Sequence, residues 1–91
     1  MPSIRRLIWD AWNVAHIARH RVIPEEVEEV CHDEPSTSET YKGRIRVVGL
    51  SQSGRMLTGI LAPTPDAGVY YPITARPADR KERRNYRKER L

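Results

Sequence analysis

The sequence predicts an α+β fold: a small antiparallel sheet of three or four strands, two N-terminal helices and one C-terminal helix. Three observations carry that expectation. Residues 10–31 place apolar side chains at helical spacing, and residues 40–75 hold three strand-like runs separated by turn chemistry. The last sixteen residues then read as a helix with almost no apolar surface.

Ile4 to Trp9 reads as a short strand, weighted by Leu7, Ile8 and Trp9. Asp10 suits the N-cap of a first helix running to about Arg21, with Ala11, Val14, Ala15, Ile17 and Ala18 as its apolar stripe. Pro24 opens a second helix, where Glu25 and Glu26 sit near the positive end of the dipole. Val27, Val30 and Cys31 face inward from it, and Asp33-Glu34-Pro35-Ser36 ends it. From Thr40 to Leu50 a strand alternates Ile45 and Val47 against Arg44 and Arg46. Ser51 to Gly54 is a turn, Met56 to Ala62 a second strand, Pro63 to Gly68 a loop and Val69 to Ala75 a third strand. Pro72 lacks the N–H that a ladder needs, which implies an edge position or a bulge. Asp79 caps the last helix, to about Arg90.

The chain has 91 residues, read as one domain over 1–91. With 38% hydrophobic residues and no Phe, its core is small, and a bound partner would supply part of what it lacks. The single Cys31 excludes an internal disulfide framework. No apolar run approaches a membrane span, so a soluble, cytoplasmic protein is expected. Charge is unevenly spread. Residues 76–91 hold eight of the sixteen Lys and Arg residues and three of the twelve acids, while the rest of the chain is close to neutral. Such a concentrated basic segment attracts polyanions, nucleic acid first among them.

Glu82 and Tyr86 stand four residues apart in the last helix, with Asp79 and Arg83 near the same face and Arg76 just upstream. Guanidinium groups neutralise charge developing on a phosphodiester, and a carboxylate or phenol transfers protons. The same residues also fit a solvated, charge-laced helix anchored by one tyrosine. Arg44 and Arg46 either extend a basic surface toward this helix or are ordinary solvent-facing strand charge. Arg80, Arg84, Arg87 and Lys88 complete the expected nucleic-acid-binding set. His16 and His20 are also four apart, without the glutamate or third ligand of a zinc site, and no metal or cofactor is expected. His20 caps its helix, contacts RNA or serves as an acid or base.

Trp9-Asp10, Asn13, Arg19-His20-Arg21-Val22 and Pro24-Glu25-Glu26-Val27 resemble the opening motif of the BrnT family, W-D, N, K-H-G-V and E-E-A. Ile45 to Gly49 and Gly54-Arg55-Met56-Leu57 resemble its middle segment. Ile73-Thr74-Ala75-Arg76-Pro77-Ala78 with Glu82-Arg83-Arg84-Asn85-Tyr86 resembles its close, I-S-A-R-x-A and E-R-x-x-Y, which is the most specific part. The resemblance implies a RelE-like fold and a toxin of a type II toxin–antitoxin pair that cleaves RNA without a metal. It implies a ribbon-helix-helix, DNA-binding antitoxin as partner. It also implies that Arg76, Glu82, Arg83, Tyr86 and His20 occupy functional positions. Three departures stand out. Arg19 replaces the lysine of K-H-G, and a guanidinium does not give up its proton near neutral pH if that lysine acts as a proton donor. Arg21 replaces the glycine of K-H-G, which predicts loss of a flexible turn. Tyr70-Tyr71-Pro72 stands where an Arg-rich strand is usual, which predicts one basic side chain fewer near the phosphate. The rival reading is a non-catalytic module binding nucleic acid or a protein.

Overall fold

The computed structural model describes residues 3–91. Along the chain lie β1 (Arg6–Leu7), α1 (Ala11–Ala18), α2 (Pro24–Cys31), β2 (Ser36–Glu39), β3 (Ile45–Leu50), β4 (Met56–Pro63), β5 (Val69–Pro77) and α3 (Arg80–Lys88). The strands form one open sheet in the order β1-β5-β4-β3-β2. β2 through β5 pair antiparallel, and β1 pairs parallel with β5. The α+β class is as expected. The sheet corrects the expectation of three or four antiparallel strands: it has five, and it is mixed.

Two causes account for the difference. Ser36-Thr37-Ser38-Glu39 lies between the expected end of the second helix and the strand expected from Thr40, and it has no apolar alternation. It is an edge strand whose backbone pairs with β3 from Ser36↔Val48 to Glu39↔Ile45. The run expected to begin at Thr40 is broken by a short 3₁₀ turn, Tyr41–Gly43, in which Lys42 and Gly43 both take positive φ. Pro72 does sit at a bulge. Ile60 pairs with Thr74 and Leu61 with Pro72, leaving Ile73 as the extra residue.

Alternation along β3 divides the molecule into two layers. Ile45 and Val47 face α1 and α2, joining Leu7, Ile17, Val22, Val27, Val30, Cys31, Leu57, Leu61 and Ala75 in the main core. Burial pushes the Cys31 thiol up to about 12, so it packs as a small apolar group. Gly49 lies on this face as well; a Cβ there would meet Val30 Cγ1 at 3.2 Å, so the missing side chain lets α2 lie close. Val48 points the other way, into a second cluster with Ala78 and Tyr86, flanked by Leu50 and Met56. α3 therefore covers the opposite face of the sheet.

The first helix differs from its predicted stripe. Of Ala11, Val14, Ala15, Ile17 and Ala18 only Ile17 is buried, and the second buried position is Asn13. Asn13 Nδ2 donates to the carbonyls of Ile8 and Pro72, and its Oδ1 accepts from the Asp10 amide. Asp10 returns the bond by accepting from Asn13 N at 2.9 Å, and its carboxylate also takes the Tyr71 hydroxyl. Polar bonds to β5 thus replace much of the expected apolar docking.

α1 stops at Ala18, three residues early, in a Schellman turn: Val22 N donates to Ile17 O and Arg21 N to Ala18 O. Ile17 and Val22 close the turn from the core. Arg21 occupies the left-handed position with φ 60°. The expected loss of a turn at Arg21 is therefore not met; the turn forms with an arginine in a conformation that disfavours a Cβ.

Asn13→Ala should destabilise the protein by about 2–4 kcal/mol in urea unfolding, because two carbonyls lose their donor in a buried site. Arg21→Gly should do the opposite and raise stability by about 1 kcal/mol in the same measurement.

Candidate functional site: an arginine-clamped carboxylate under a basic helix

α3 has one buried side chain, Tyr86, so its position on the sheet depends on polar anchors. The first is its cap. Asp79 accepts from Glu82 N at 2.8 Å, and Glu82 Oε1 accepts from Asp79 N at 2.9 Å. The second lies on the sheet. Thr58 and Arg76 are register partners on β4 and β5, and both reach Glu82. Thr58 Oγ1 donates to Oε1 at 2.8 Å, while Arg76 forks onto both oxygens at 2.8 and 2.9 Å. From β3, Arg46 Nε stops 3.7 Å from Glu82 Oε2 and has no hydrogen-bond partner among the described residues.

At the far end of the helix the Arg90 guanidinium stacks 3.6 Å over the Tyr86 ring and donates to Ser36 Oγ and the Glu34 carbonyl. Ser36 donates to Glu89. These contacts tie α3 to β2 and the segment before it.

The electrostatics of Glu82 decide its chemistry. Burial would raise its carboxyl, but the Arg76 fork, the Asp79 amide and the Thr58 hydroxyl outweigh it and hold the group down at about 2. The hydrogen bond from Arg76 in turn raises that guanidinium above its ordinary value. Near neutral pH Glu82 is a fixed anion and a poor proton carrier. Arg76 remains 35% exposed, with N–H groups beyond the fork to offer a phosphate oxygen.

No family model matches the chain. No curated protein matches it either.

The expected site residues fall into three groups. Arg76, Glu82 and Arg46 are brought together, and of these Arg46 and Glu82 line a cleft with Tyr86, one helical turn away. That cleft, about 140 Å3, runs between α3 and β2–β3 past Ser36, Ser38 and Asn85. Arg83, Arg80, Arg84, Arg87 and Lys88 are exposed on α3. Arg44 lies immediately before β3, at the end of the 3₁₀ turn, half-buried. His20 belongs to the opposite layer, at the end of α1, where its ring meets His16 edge-on at 6.4 Å. No hydrogen bond or ion pair joins it to the Glu82 group among the described residues. A larger depression of about 610 Å3, near Cys31, Glu34 and Glu89, has only Arg90 as a basic lining residue, and Arg90 is already engaged.

Thr58 was missed by sequence reasoning. It is a fully buried hydroxyl on a strand of otherwise small or apolar residues, and only its register opposite Arg76 gives it meaning.

The Glu82 anchor predicts a pH-dependent stability. Its carboxyl titrates near 2 when folded and near its ordinary 4.5 when unfolded, so the stabilisation is complete above pH ~5. It declines as pH falls through that window and is gone at pH ~2. Urea unfolding of wild type and Glu82→Gln should therefore differ by up to about 3 kcal/mol at neutral pH and converge in acid.

Proposed function

We propose that this protein is a metal-independent endoribonuclease of the BrnT type, with a RelE-like fold, acting as the toxin of a type II toxin–antitoxin pair. The observation that carries the reading is the convergence of Arg76 and Arg46 on one buried-edge carboxylate beneath a helix whose outer face is almost wholly cationic. Arg76, Glu82, Arg83 and Tyr86, the closing-motif residues, all belong to this one unit of β5 and α3. The glycine-like backbone kept at Arg21 supports the same family.

In the proposed reaction the ribose 2′-hydroxyl gives up its proton to solvent water and attacks the adjacent phosphate; the 2′-O–P bond forms as the P–O5′ bond breaks, leaving a 2′,3′-cyclic phosphate and a free 5′-hydroxyl. Arg76 and Arg83 stabilise the charge that develops on the non-bridging oxygens, with Arg46 as the nearby third cation. Arg46 fills the place of the basic side chain that Tyr70-Tyr71-Pro72 does not provide. Glu82 is a positioning residue that aims the Arg76 fork. Tyr86, which lines the cleft, serves the leaving 5′-oxygen as proton donor. His20, in the other layer, contacts the RNA chain away from the scissile bond. Arg44, Arg80, Arg84, Arg87 and Lys88 hold the phosphate backbone. A ribbon-helix-helix antitoxin neutralises the toxin by covering α3 with acidic or apolar groups, and the reading places the pair in the cytoplasm.

A binding module without catalysis is the second reading, favoured by the locking of Glu82 and by the packing role of the Tyr86 ring. Induced expression in a bacterial host separates the two. Wild type should arrest growth and fragment RNA, and the purified protein should cleave RNA in the presence of a chelator. Arg83→Ala, at an exposed position, should lower cleavage about a hundredfold or more while RNA binding falls only modestly. Arg80→Ala with Lys88→Ala should weaken binding to all sequences and reduce its salt dependence. Normal growth and intact RNA with well-expressed wild type would leave only the binding module.

A further inference from the structure

The exposed side of α1 carries two rings, Trp12 and His16, that the catalytic reading does not use, beside His20, which it places on the RNA. Trp12 and His16 stand four residues apart on one face of α1, and His20 follows four residues on, in the turn that ends the helix. The Trp12 and His16 rings stack at 4.8 Å between centroids and 9° between planes, and His20 closes the series edge-on. Trp12 is 55% exposed although His16 covers one of its faces, so its other face is open. A tryptophan left in solvent with its ring orientation fixed by a neighbour costs apolar exposure and gains nothing for the core. Trp9 shows the contrast: its Nε1 donates to Glu28 and its ring packs on the main core.

The surroundings suit an anionic chain. Exposed Arg19 and Arg21 flank His20 at the end of the helix. Asp10, the acid at its start, is already occupied by the Asn13 amide and the Tyr71 hydroxyl. The end of α1 and the start of α3 are both tied to one end of the sheet, on its two faces. Arg55 Nη1 donates to the Arg21 carbonyl and pairs with the Glu26 carboxylate at 2.8 Å, and the carbonyl of the next residue, Met56, accepts from Ala78 N just before α3.

We infer that Trp12, His16 and His20 form a stacking platform for unpaired bases of single-stranded RNA. A strand held at Arg76 and Arg80 passes over the Arg55 end of the sheet and lays a base on the open face of Trp12, its phosphates beside Arg19 and Arg21. Stacking on an aromatic face needs an unpaired base and tolerates any base identity. The inference rests on the RNA-acting reading above and narrows its substrate to single-stranded RNA.

The test uses the full chain and a 2′-O-methyl oligouridylate, which lacks the attacking hydroxyl, so binding is read whether or not the protein is a nuclease. Binding should quench tryptophan fluorescence in wild type and not in Trp12→Phe, because Trp9 is packed away. Trp12→Ala should weaken affinity about 5- to 150-fold for the single strand and leave affinity for a duplex unchanged. Circular dichroism of each variant controls for folding, which a substitution at an exposed position should preserve. Unaltered single-strand affinity in Trp12→Ala, an equal loss for duplex, or masking of Trp12 by a protein partner with no quenching by RNA would each overturn the platform. Quenching by the oligomer without cleavage of ordinary RNA would sustain the platform and sink the nuclease.

Discussion

A carboxylate that accepts an arginine fork across both oxygens and two further hydrogen bonds on one of them joins four parts of a chain at one point. Glu82 does this for α3, β4, β5 and, through the approach of Arg46, β3. The helix it belongs to buries a single side chain and carries six exposed cations over nine residues, so neither helix propensity nor apolar packing would hold it against the sheet. One anion beneath it offsets that repulsion and fixes its start through the cap with Asp79. The same arrangement removes Glu82 from proton transfer and leaves it as the reason Arg76 points where it does. Anchoring and orientation are one interaction here, so the geometry of the site and the attachment of the helix cannot be varied separately.

The opposite layer is organised on different physics. There α1 is attached through Asn13 and Asp10, whose side chains satisfy backbone groups of β5 and of their own helix start, and only Ile17 reaches the core. Because polar bonds seat this helix, its outer face need not be turned inward, and an apolar, aromatic surface remains in solvent. The two layers thus present different chemistries, cationic on α3 and aromatic on α1, both tied to the Arg55 end of the sheet.

Much of this was legible before any coordinates. The alternation of Arg44 and Arg46 against Ile45 and Val47, the inward set Val27, Val30 and Cys31, the Asp79 cap and the bulge implied by Pro72 all follow from spacing and stereochemistry. The family resemblance also directed attention to Arg76, Glu82, Arg83 and Tyr86. What escaped were features that local pattern does not encode. β2 has no apolar alternation because an edge strand of serine and threonine is specified by its neighbour's backbone. The stripe on α1 misled because periodicity counts apolar residues and gives no weight to a buried asparagine. Arg21 breaks the glycine rule while the Schellman bonds to Ile17 and Ala18 keep the turn.

By itself the sequence determined the class of fold, the strong helix start at Asp79 and the placement of half the basic residues in one terminal segment, since these depend on side-chain type and near spacing. Tertiary structure decided which carboxylate meets which guanidinium, that Thr58 stands opposite Arg76, and that His20 lies across the sheet from Glu82. Those are consequences of strand register and layer, set by pairings between separate elements, and no local run of side chains records them.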